Sequence, residues 1–338
     1  MAEPAECRRF RMQGETPMTI RTPLCDLLGI KYPIMLAGMG GVSYAELVAA
    51  VSNAGGFGTL GMAGRQPEQI REEMKKVKDL TDKPFGVDLL AAVPESLERT
   101  ADIMIEEGAT AFISGLGVPT NILAKLHGAG MKVMNVCGTV KHAVAGEKAG
   151  LDGVIAQGTE GGGHTGKVAG MALIPQIVDA VKSIPVIAAG SIVDGRGLAA
   201  ALAFGAQGVW MGTRFIAAKE SHAGDMYRQV IVEAKDTDTI VTRCYSGKTM
   251  RVFNNPYVQD WESRPADIQP FPQQAILSHQ NNVMGGIGGQ IEGLERDRSC
   301  FAMGQGAGGI HEVLSAAEIV EKTMAEAEAV LERLKKYA

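Results

Sequence analysis

The chain has 338 residues, of which 46% are hydrophobic and 21% are charged, and its formal net charge is −5 at pH 7. This composition supplies a sizeable core and excludes overall disorder, and the length fits one large α/β barrel. The acidic balance, with both signs mixed along the chain, argues against a nucleic-acid groove or a basic membrane surface.

The cysteines and the N-terminal residues indicate a cytoplasmic protein. Five widely spaced cysteines form no C-x-x-C pair, which argues against a zinc knuckle and favours free thiols in a reducing compartment. Residues 7–11 are polar and basic, unlike a secretory signal, and no apolar stretch reaches the ~20 residues that span a bilayer. We expect no metal site and no membrane contact, and we interpret residues 1–21 as an N-terminal tail.

From residue 32 onward the chain repeats one unit: a short apolar run, a glycine-rich turn and an amphipathic helical segment. Eight apolar runs predict strands, at residues 33–37, 58–60, 85–89, 111–114, 132–137, 153–156, 185–189 and 208–211. Each run is apolar throughout, as is typical of strands buried on both faces of a parallel sheet. Eight strand–helix units predict a (β/α)8 TIM barrel, and the alternative is a doubly wound open sheet, which usually has fewer units.

Capping signals mark the first and last predicted helices of the repeat. Ser43 and Glu46 form a capping box before the first helix, and Ser315 with Glu318 forms another before the closing helix. Between them the predicted helices are residues 71–79, 94–107, 119–128, 140–149, 171–183 and 195–204. The closing helix carries an apolar stripe, so we expect it to be the eighth barrel helix.

The repeat breaks after the eighth apolar run. Residues 218–310 contain helical stretches, an aromatic and proline-rich part and a glycine-rich loop. We predict that this segment is an insertion covering the barrel mouth, and that residues 22–217 and 311–338 form the barrel. Residues 304–309 match G-x-G-x-x-G, but no second strand follows them, so any cofactor should be a mononucleotide rather than a dinucleotide.

A glycine and a hydroxyl residue follow each of the last two predicted strands. These pairs are Gly190 with Ser191 and Gly212 with Thr213. In a barrel of this type the active site lies at the carboxyl ends of the strands, and phosphate groups bind after the last two. One such turn alone would be an ordinary tight turn, but the two together predict a phosphate site.

Residues 157–166, QGTEGGGHTG, follow the sixth predicted strand. Three consecutive glycines allow the backbone to lie against a planar or anionic ligand. His164 should project from this loop over the barrel mouth, where an imidazole can act as acid or base near neutral pH, although most loop histidines are surface residues. The other five histidines have no predicted role. Residues 37–41, after the first strand, are small enough for a flat ring to pack on their backbone.

These segments resemble the nitronate monooxygenase family, formerly the 2-nitropropane dioxygenases, which includes FMN-dependent enoyl-ACP reductases and NADH:quinone reductases. The resemblance spans roughly residues 22–334 and rests on residues 53–58, 83–87, 157–166, 188–192 and 211–215. It implies noncovalently bound FMN, with His164 as the acid or base. The residues implied to contact FMN are Ala37, Gly38, Met39, Asp88, Gln157, Gly162, Gly163, Gly190, Ser191, Met211, Gly212 and Thr213.

Three features depart from the best-studied nitronate enzymes. Asp88 stands where the family usually has Asn, and an anion there would disfavour reduced flavin unless the carboxyl is protonated or paired. Gly161 stands where the family usually has Ala. Residues 219–255 are more similar to the enoyl and quinone reductases.

The leading functional hypothesis is an FMN-dependent oxidation of alkyl nitronates by O2 to carbonyl compounds and nitrite. One alternative is an NAD(P)H-dependent reductase of enoyl thioesters or quinones on the same barrel. Another is a colourless phosphate-binding barrel without redox chemistry. The expected partners are a small-molecule substrate and, for the reductase, NAD(P)H, and a homodimer is left open.

Overall fold

The computed structural model describes residues 20–90, 94–115 and 117–337, with the backbone alone for residues 94–96. Residues 1–19 of the predicted tail lie outside the described residues. The strands are β1 (Ile34–Leu36), β2 (Gly58–Gly61), β3 (Phe85–Leu90), β4 (Ala111–Gly115), β5 (Lys132–Cys137), β6 (Gly153–Gln157), β7 (Gly163–His164), β8 (Val186–Ala189), β9 (Gly208–Met211), β10 (Thr239–Thr242) and β11 (Met250–Phe253).

Helices separate most of these strands. They are α1 (Pro23–Leu28), α2 (Ala45–Asn53), α3 (Pro67–Leu80), α4 (Pro94–Glu107), α5 (Leu123–Gly128), α6 (Val140–Lys148), α7 (Gly170–Ala180), α8 (Gly195–Ala203), α9 (Thr213–Ile216), α10 (Asp225–Glu233), α11 (Pro256–Glu262), α12 (Gln273–Gln280), α13 (Gly285–Gly288) and α14 (Ala316–Leu334). Short 3-10 turns occur at Pro265–Asp267, Gln305–Gly309 and Lys335–Tyr337. Within the described ranges, no helix is both long and apolar enough to cross a bilayer.

Eight parallel strands form the barrel. Their order around the sheet is β1, β9, β8, β6, β5, β4, β3 and β2. A parallel bridge between Met35 and Phe57 joins β1 to the residue preceding β2 and brings the two edges together. All eight predicted strands are present with bounds within one residue of the prediction, and the (β/α)8 fold is confirmed.

The strands are buried on both faces, which explains their largely apolar sequences. In β1, Met35 packs inside the barrel, whereas Ile34 and Leu36 pack between the strands and the surrounding helices. Helix α1 lies at the amino-terminal end of the barrel, where Leu24 packs closely against Gly208 at the start of β9. The opposite end of the barrel is left for a ligand.

Helix α14 is the last helix of the barrel. It begins at the predicted capping box, in which Ser315 and Glu318 exchange side-chain and backbone hydrogen bonds, and it packs on α8 and α2. The capping box predicted at Ser43 is wrong. Its hydroxyl accepts a hydrogen bond from the backbone N–H of Met39 at 2.8 Å, and Tyr44 is the N-cap of α2.

Residues 218–310 carry helices α10 to α13 and an antiparallel hairpin, β10 and β11. Strand β11 also pairs antiparallel with β7, so the hairpin is joined to the segment that follows barrel strand β6. The segment has its own apolar cluster, built around Tyr245, Val252 and Trp261. It is therefore a folded layer attached to the barrel at β7.

Candidate active site

A cavity of about 1280 Å³ lies at the carboxyl ends of the barrel strands. Barrel turns form one side of its wall, and residues of the 218–310 segment, including Lys248, Phe271 and Met284, form another. Twelve of the thirteen residues proposed from the sequence line this cavity, namely Ala37, Gly38, Met39, Asp88, Gln157, Gly162, Gly163, His164, Gly190, Ser191, Gly212 and Thr213. Met211 does not, because its side chain is buried between the barrel strands and the outer helices.

The hydroxyls of Ser191 and Thr213 tie neighbouring turns together. The Ser191 hydroxyl donates to the carbonyl oxygen of Glu160 at 2.9 Å and accepts from the N–H of Gly306 at 2.8 Å. The Thr213 hydroxyl accepts from the N–H of Gly304 at 3.0 Å. These bonds hold both turns against the loop at residues 304–306 and against Glu160.

Backbone N–H groups remain for an anion at these turns. The N–H groups of Ser191 and Thr213 have no acceptor among the described residues. Ser191 adopts φ 53°, in the left-handed region that non-glycine residues rarely occupy, next to Gly190 at φ 106°. Unpaired backbone N–H groups at tight turns are a common way for proteins to bind anions.

The loop at residues 304–309, which had no predicted role, packs against the turns that line the cavity without lining it. A Cβ at Gly304 would lie 2.7 Å from the carbonyl oxygen of Glu160, and one at Gly306 would lie 3.0 Å from the Cα of Ser191. A side chain at Gly304 would clash with backbone, and one at Gly306 would be tightly confined, so glycine allows this close approach. The G-x-G-x-x-G spacing of this loop could have indicated it, but here the glycines serve to pack the loop backbone against the turn that carries Ser191.

Two glycines of the cavity wall have different roles. A Cβ at Gly162 would lie 2.6 Å from the carbonyl carbon of Met303, so only glycine lets the two loops meet. A Cβ at Gly212 would meet only Met39 Sδ at 3.4 Å and Ala37 Cβ at 3.5 Å. Gly212 therefore opens on the cavity, and bulk added there would fill it.

His164 lies on the two-residue strand β7 rather than on an open loop as predicted. Its strand pairs with Met250 of β11, and its carbonyl oxygen accepts a hydrogen bond from Gln157 Nε2 at 2.9 Å. Its Nε2 lies 3.1 Å from Ser246 Oγ. Burial, and secondly the nearby Lys248 ammonium, lower the pKa of His164 below 6.5, so the neutral imidazole is favoured.

Asp88 lies on β3 in the cavity wall, pressed against the turn that follows β1. A Cβ at Gly38 would lie 2.2 Å from the Cβ of Asp88, so glycine is needed for the two segments to meet. The carboxyl faces the cavity and is otherwise enclosed by protein, and this burial raises its pKa well above 3.8. The anion that the sequence suggested at this position is thus disfavoured by its surroundings.

Several lining residues have no counterpart in the sequence prediction. His142 and His279, for which the sequence predicted no role, also line the cavity. Asn135 also lines it, donating from Nδ2 to the carbonyl oxygens of Ser114 at 2.7 Å and Gly117 at 2.8 Å. A polar residue inside an apolar strand was a usable signal for Asn135, but nothing in the local sequence indicated the histidines.

Cysteines and acidic residues do not gather at this site. Cys25, Cys137, Cys244 and Cys300 are buried free thiols, and Cys7 lies outside the described residues. Across the described ranges, no group of three or more His, Cys, Asp or Glu side chains is placed to hold a metal ion. The chemistry available from the chain itself is therefore proton transfer and anion binding.

Together, the fold and the site define a (β/α)8-barrel enzyme that acts on a small molecule. A family model described as nitronate monooxygenase matches residues 21–326. The chain belongs to the nitronate monooxygenase family and is an oxidoreductase, and the proteins of this family are in general flavoenzymes.

Similar proteins support this assignment. A probable nitronate monooxygenase of Staphylococcus aureus (strain Newman) is 36% identical, over 75% of this chain and 84% of that protein. The structure of FabK from Thermotoga maritima has a TM-score of 0.86 and 36% identity, and the match covers 95% of this chain and all of that one. A nitroalkane oxidase from Streptomyces ansochromogenes has a TM-score of 0.81 and 28% identity, covering 91% of this chain and 99% of that one.

Proposed function

We propose that this protein is a cytoplasmic, FMN-dependent nitronate monooxygenase that oxidises alkyl nitronates with O2 to carbonyl compounds and nitrite. The observation that carries the proposal is a single cavity lined both by turns with unpaired N–H groups, at Ser191 and Thr213, and by the imidazole of His164, for which burial favours the neutral form. The buried free thiols Cys25, Cys137, Cys244 and Cys300 support a reducing compartment.

The cofactor assigned to this cavity is FMN. The unpaired N–H groups of Ser191 and Thr213 would hold its phosphate, and Gly212 leaves room for it. Gly190 lets the turn pack against the backbone of Gly158. Met39, Asp88, Gln157, Gly162 and Gly163 would contact the remainder of the cofactor, whereas Met211 contributes only through the core behind the turn. Bound FMN supplies the acceptor for electrons from the substrate.

His164 would act as the base. A neutral nitroalkane must lose a proton from carbon before it can be oxidised, and an imidazole whose pKa is lowered by burial is ready to accept one. Lys248 lines the same cavity and places a positive charge beside His164, which favours the anionic nitronate that results. A preformed nitronate needs no base, so the two substrate forms should depend differently on His164.

The alternative is an NAD(P)H-dependent FMN reductase of enoyl thioesters or quinones. Its support is the similarity of residues 219–255 to those reductases, since this stretch includes Lys248 and the hairpin beside His164. In that case NADH or NADPH would be the electron donor. The family and the fold accommodate both chemistries.

Anaerobic mixing distinguishes the two functions. The yellow protein is mixed separately with 2-nitropropane, its nitronate, NADH and NADPH, and the flavin absorbance is followed. We expect nitronate to bleach the flavin without nicotinamide, and His164→Ala to lose about 10²–10⁴-fold on 2-nitropropane while retaining more activity on the nitronate. Rapid bleaching by a nicotinamide, together with inertness to nitronate, would establish the reductase instead.

A further inference from the structure

Ser246 contacts the imidazole of His164 from the side of the hairpin. It lies in the turn between β10 and β11, it is 4% exposed, and its hydroxyl oxygen is 3.1 Å from His164 Nε2. Among the described residues, no group bonds to Nδ1, the other ring nitrogen. His164 lines the cavity, and Nδ1 is its ring nitrogen that no described group occupies.

The Ser246 hydroxyl has three neighbours and a single proton. It lies 3.2 Å from the carbonyl oxygen of Lys248, to which it can only donate. It accepts from the N–H of Lys248 at 3.3 Å. All three contacts are satisfied together only if His164 Nε2 carries a proton and donates it to the hydroxyl oxygen. With the proton on Nδ1 instead, the hydroxyl must turn to Nε2 and leave the Lys248 carbonyl without its donor.

We propose that Ser246 is a positioning residue that fixes His164 as the Nε2–H tautomer and leaves the lone pair of Nδ1 for the substrate proton. The backbone supports the same orientation, because β7 is paired with β11 and Gln157 holds the carbonyl oxygen of His164. In proteins, a hydrogen bond to one ring nitrogen of a histidine commonly fixes the protonation state of the other ring nitrogen.

The tautomer decides whether His164 accepts a proton from the substrate or donates a hydrogen bond to it. The role of base that we assign to His164 rests on the proposed function. With a bare Nδ1 the imidazole accepts a proton, as the deprotonation of a nitroalkane at carbon requires: the C–H proton moves to Nδ1 and its electron pair stays on the nitronate. With Nδ1–H the neutral imidazole would instead donate a hydrogen bond to the substrate. The geometry therefore favours deprotonation over protonation of a product.

Nitrogen-15 NMR of the histidine side chains measures the tautomer directly. The FMN-loaded protein is labelled with [15N]histidine, and the His164 signals are assigned by their loss in His164→Asn. At about pH 8, where a histidine with a lowered pKa is neutral, we expect a protonated Nε2 and an unprotonated Nδ1. A wild-type spectrum with the proton on Nδ1 would overturn the proposal, whether or not any variant folds.

Two variants of Ser246 separate positioning from general support of the fold. We expect Ser246→Ala to give a mixture of tautomers, and Ser246→Thr, which keeps a hydroxyl, to restore the wild-type pattern. Ser278→Ala is the matched control, since Ser278 is also buried in this segment and its hydroxyl makes no hydrogen bond to the described residues. Unchanged His164 signals in folded Ser246→Ala would contradict the proposal.

Kinetics then connect the tautomer to the reaction. Ser246→Ala should lower kcat/KM for neutral 2-nitropropane by about 10-fold or more, because a misprotonated histidine cannot act as the base. Activity on the preformed nitronate should stay close to that of the wild type. If the NMR result is as expected but neither nitro compound bleaches the flavin, the assignment of Ser246 stands and the proposed function fails.

Discussion

Single residues at the cavity act mainly by what they allow the backbone to do. The hydroxyl groups of Ser191 and Thr213 form hydrogen bonds with neighbouring loops, so these residues would bind an anion through their backbone N–H groups. Gly212 contributes by the absence of a side chain, because a Cβ there would face Met39 and Ala37 at ordinary contact distance and anything larger would extend into the cavity.

Gly212→Leu is therefore expected to abolish FMN binding while the protein stays folded. Gly212→Ala should retain most of the flavin, since a methyl group makes only ordinary contacts. The FMN released by acid from equal amounts of purified protein measures the occupancy. Gly128→Leu is the control, because no atom lies within 4 Å of a Cβ at Gly128. Full occupancy in Gly212→Leu would show that the phosphate lies elsewhere.

Asp88→Asn is expected to change how stability depends on pH. Burial raises the pKa of Asp88 above 3.8, so at higher pH the folded protein holds a proton that the unfolded chain releases. The free energy of unfolding of the wild type therefore falls as pH rises from 3.8 towards the folded-state pKa. Asparagine removes this loss. Urea unfolding of the flavin-free proteins at a series of pH values measures the difference.

Asp82→Asn is the matched control for this titration. Asp82 is exposed, and its hydrogen bond with Lys83 lowers its pKa, so its removal cannot reproduce the Asp88 effect. If the free energy of unfolding depends on pH in the same way for wild type and Asp88→Asn, the raised pKa of Asp88 would be contradicted. The sequence also leads us to expect that Asp88→Asn raises the reduction potential of a bound flavin. This rise should appear only at pH values above the folded-state pKa of Asp88, where the wild-type carboxyl is charged.

At the scale of elements, the decisive contact is the antiparallel pairing of β7 with β11. Strand β7 has two residues, and Arg251 of β11 reinforces the pairing by donating from Nε to the carbonyl oxygen of Thr159 at 2.9 Å. Arg251 also donates to the hydroxyl of Thr239 at 3.1 Å, and it is 7% exposed. The hairpin therefore holds the histidine segment against the barrel.

Arg251→Leu is expected to loosen residues 157–166. Loss of a buried, charged hydrogen bond destabilises by about 2 kcal/mol, and the effect should be concentrated in this segment. Hydrogen exchange followed by mass spectrometry would show faster exchange there. Arg296→Leu is the control, since Arg296 forms an exposed ion pair with Glu233 that contributes about 1 kcal/mol or less. Equal exchange in both variants would mean that Arg251 does not hold the loop.

At the scale of the whole molecule, α14 completes the barrel after an interruption of more than ninety residues. Its closest approach to α8 is at Gly195, where a Cβ would lie 2.3 Å from the N of Ala327 and 2.4 Å from the carbonyl oxygen of Thr323. Both neighbours are backbone atoms, so they cannot move aside as a flexible side chain would.

Gly195→Ala should therefore destabilise the protein by about 1–3 kcal/mol, the usual effect of overpacking, although alanine normally favours a helix. Gly128→Ala should be neutral or slightly stabilising, because the space around it is open. Urea unfolding of both variants measures the contrast. A stabilised Gly195→Ala protein would show that α14 and α8 can separate without loss.

The barrel could be read from the sequence because its signals are local. A run such as residues 185–189 is apolar and ends at Gly190, and similar runs recur eight times along the chain. The strand positions could therefore be predicted without knowledge of distant residues. The turns at Gly190 and Gly212 could be placed at one end of the barrel because parallel strands all end there.

Only the tertiary structure decided what surrounds the candidate base. Ser246 lies 82 positions from His164, and Gly306 lies 115 positions from Ser191. No local pattern encodes such contacts, because they arise when the inserted segment folds back on the barrel. The raised pKa of Asp88 and the lowered pKa of His164 were equally inaccessible, since both follow from burial, which is a property of the assembled cavity rather than of neighbouring residues in the chain.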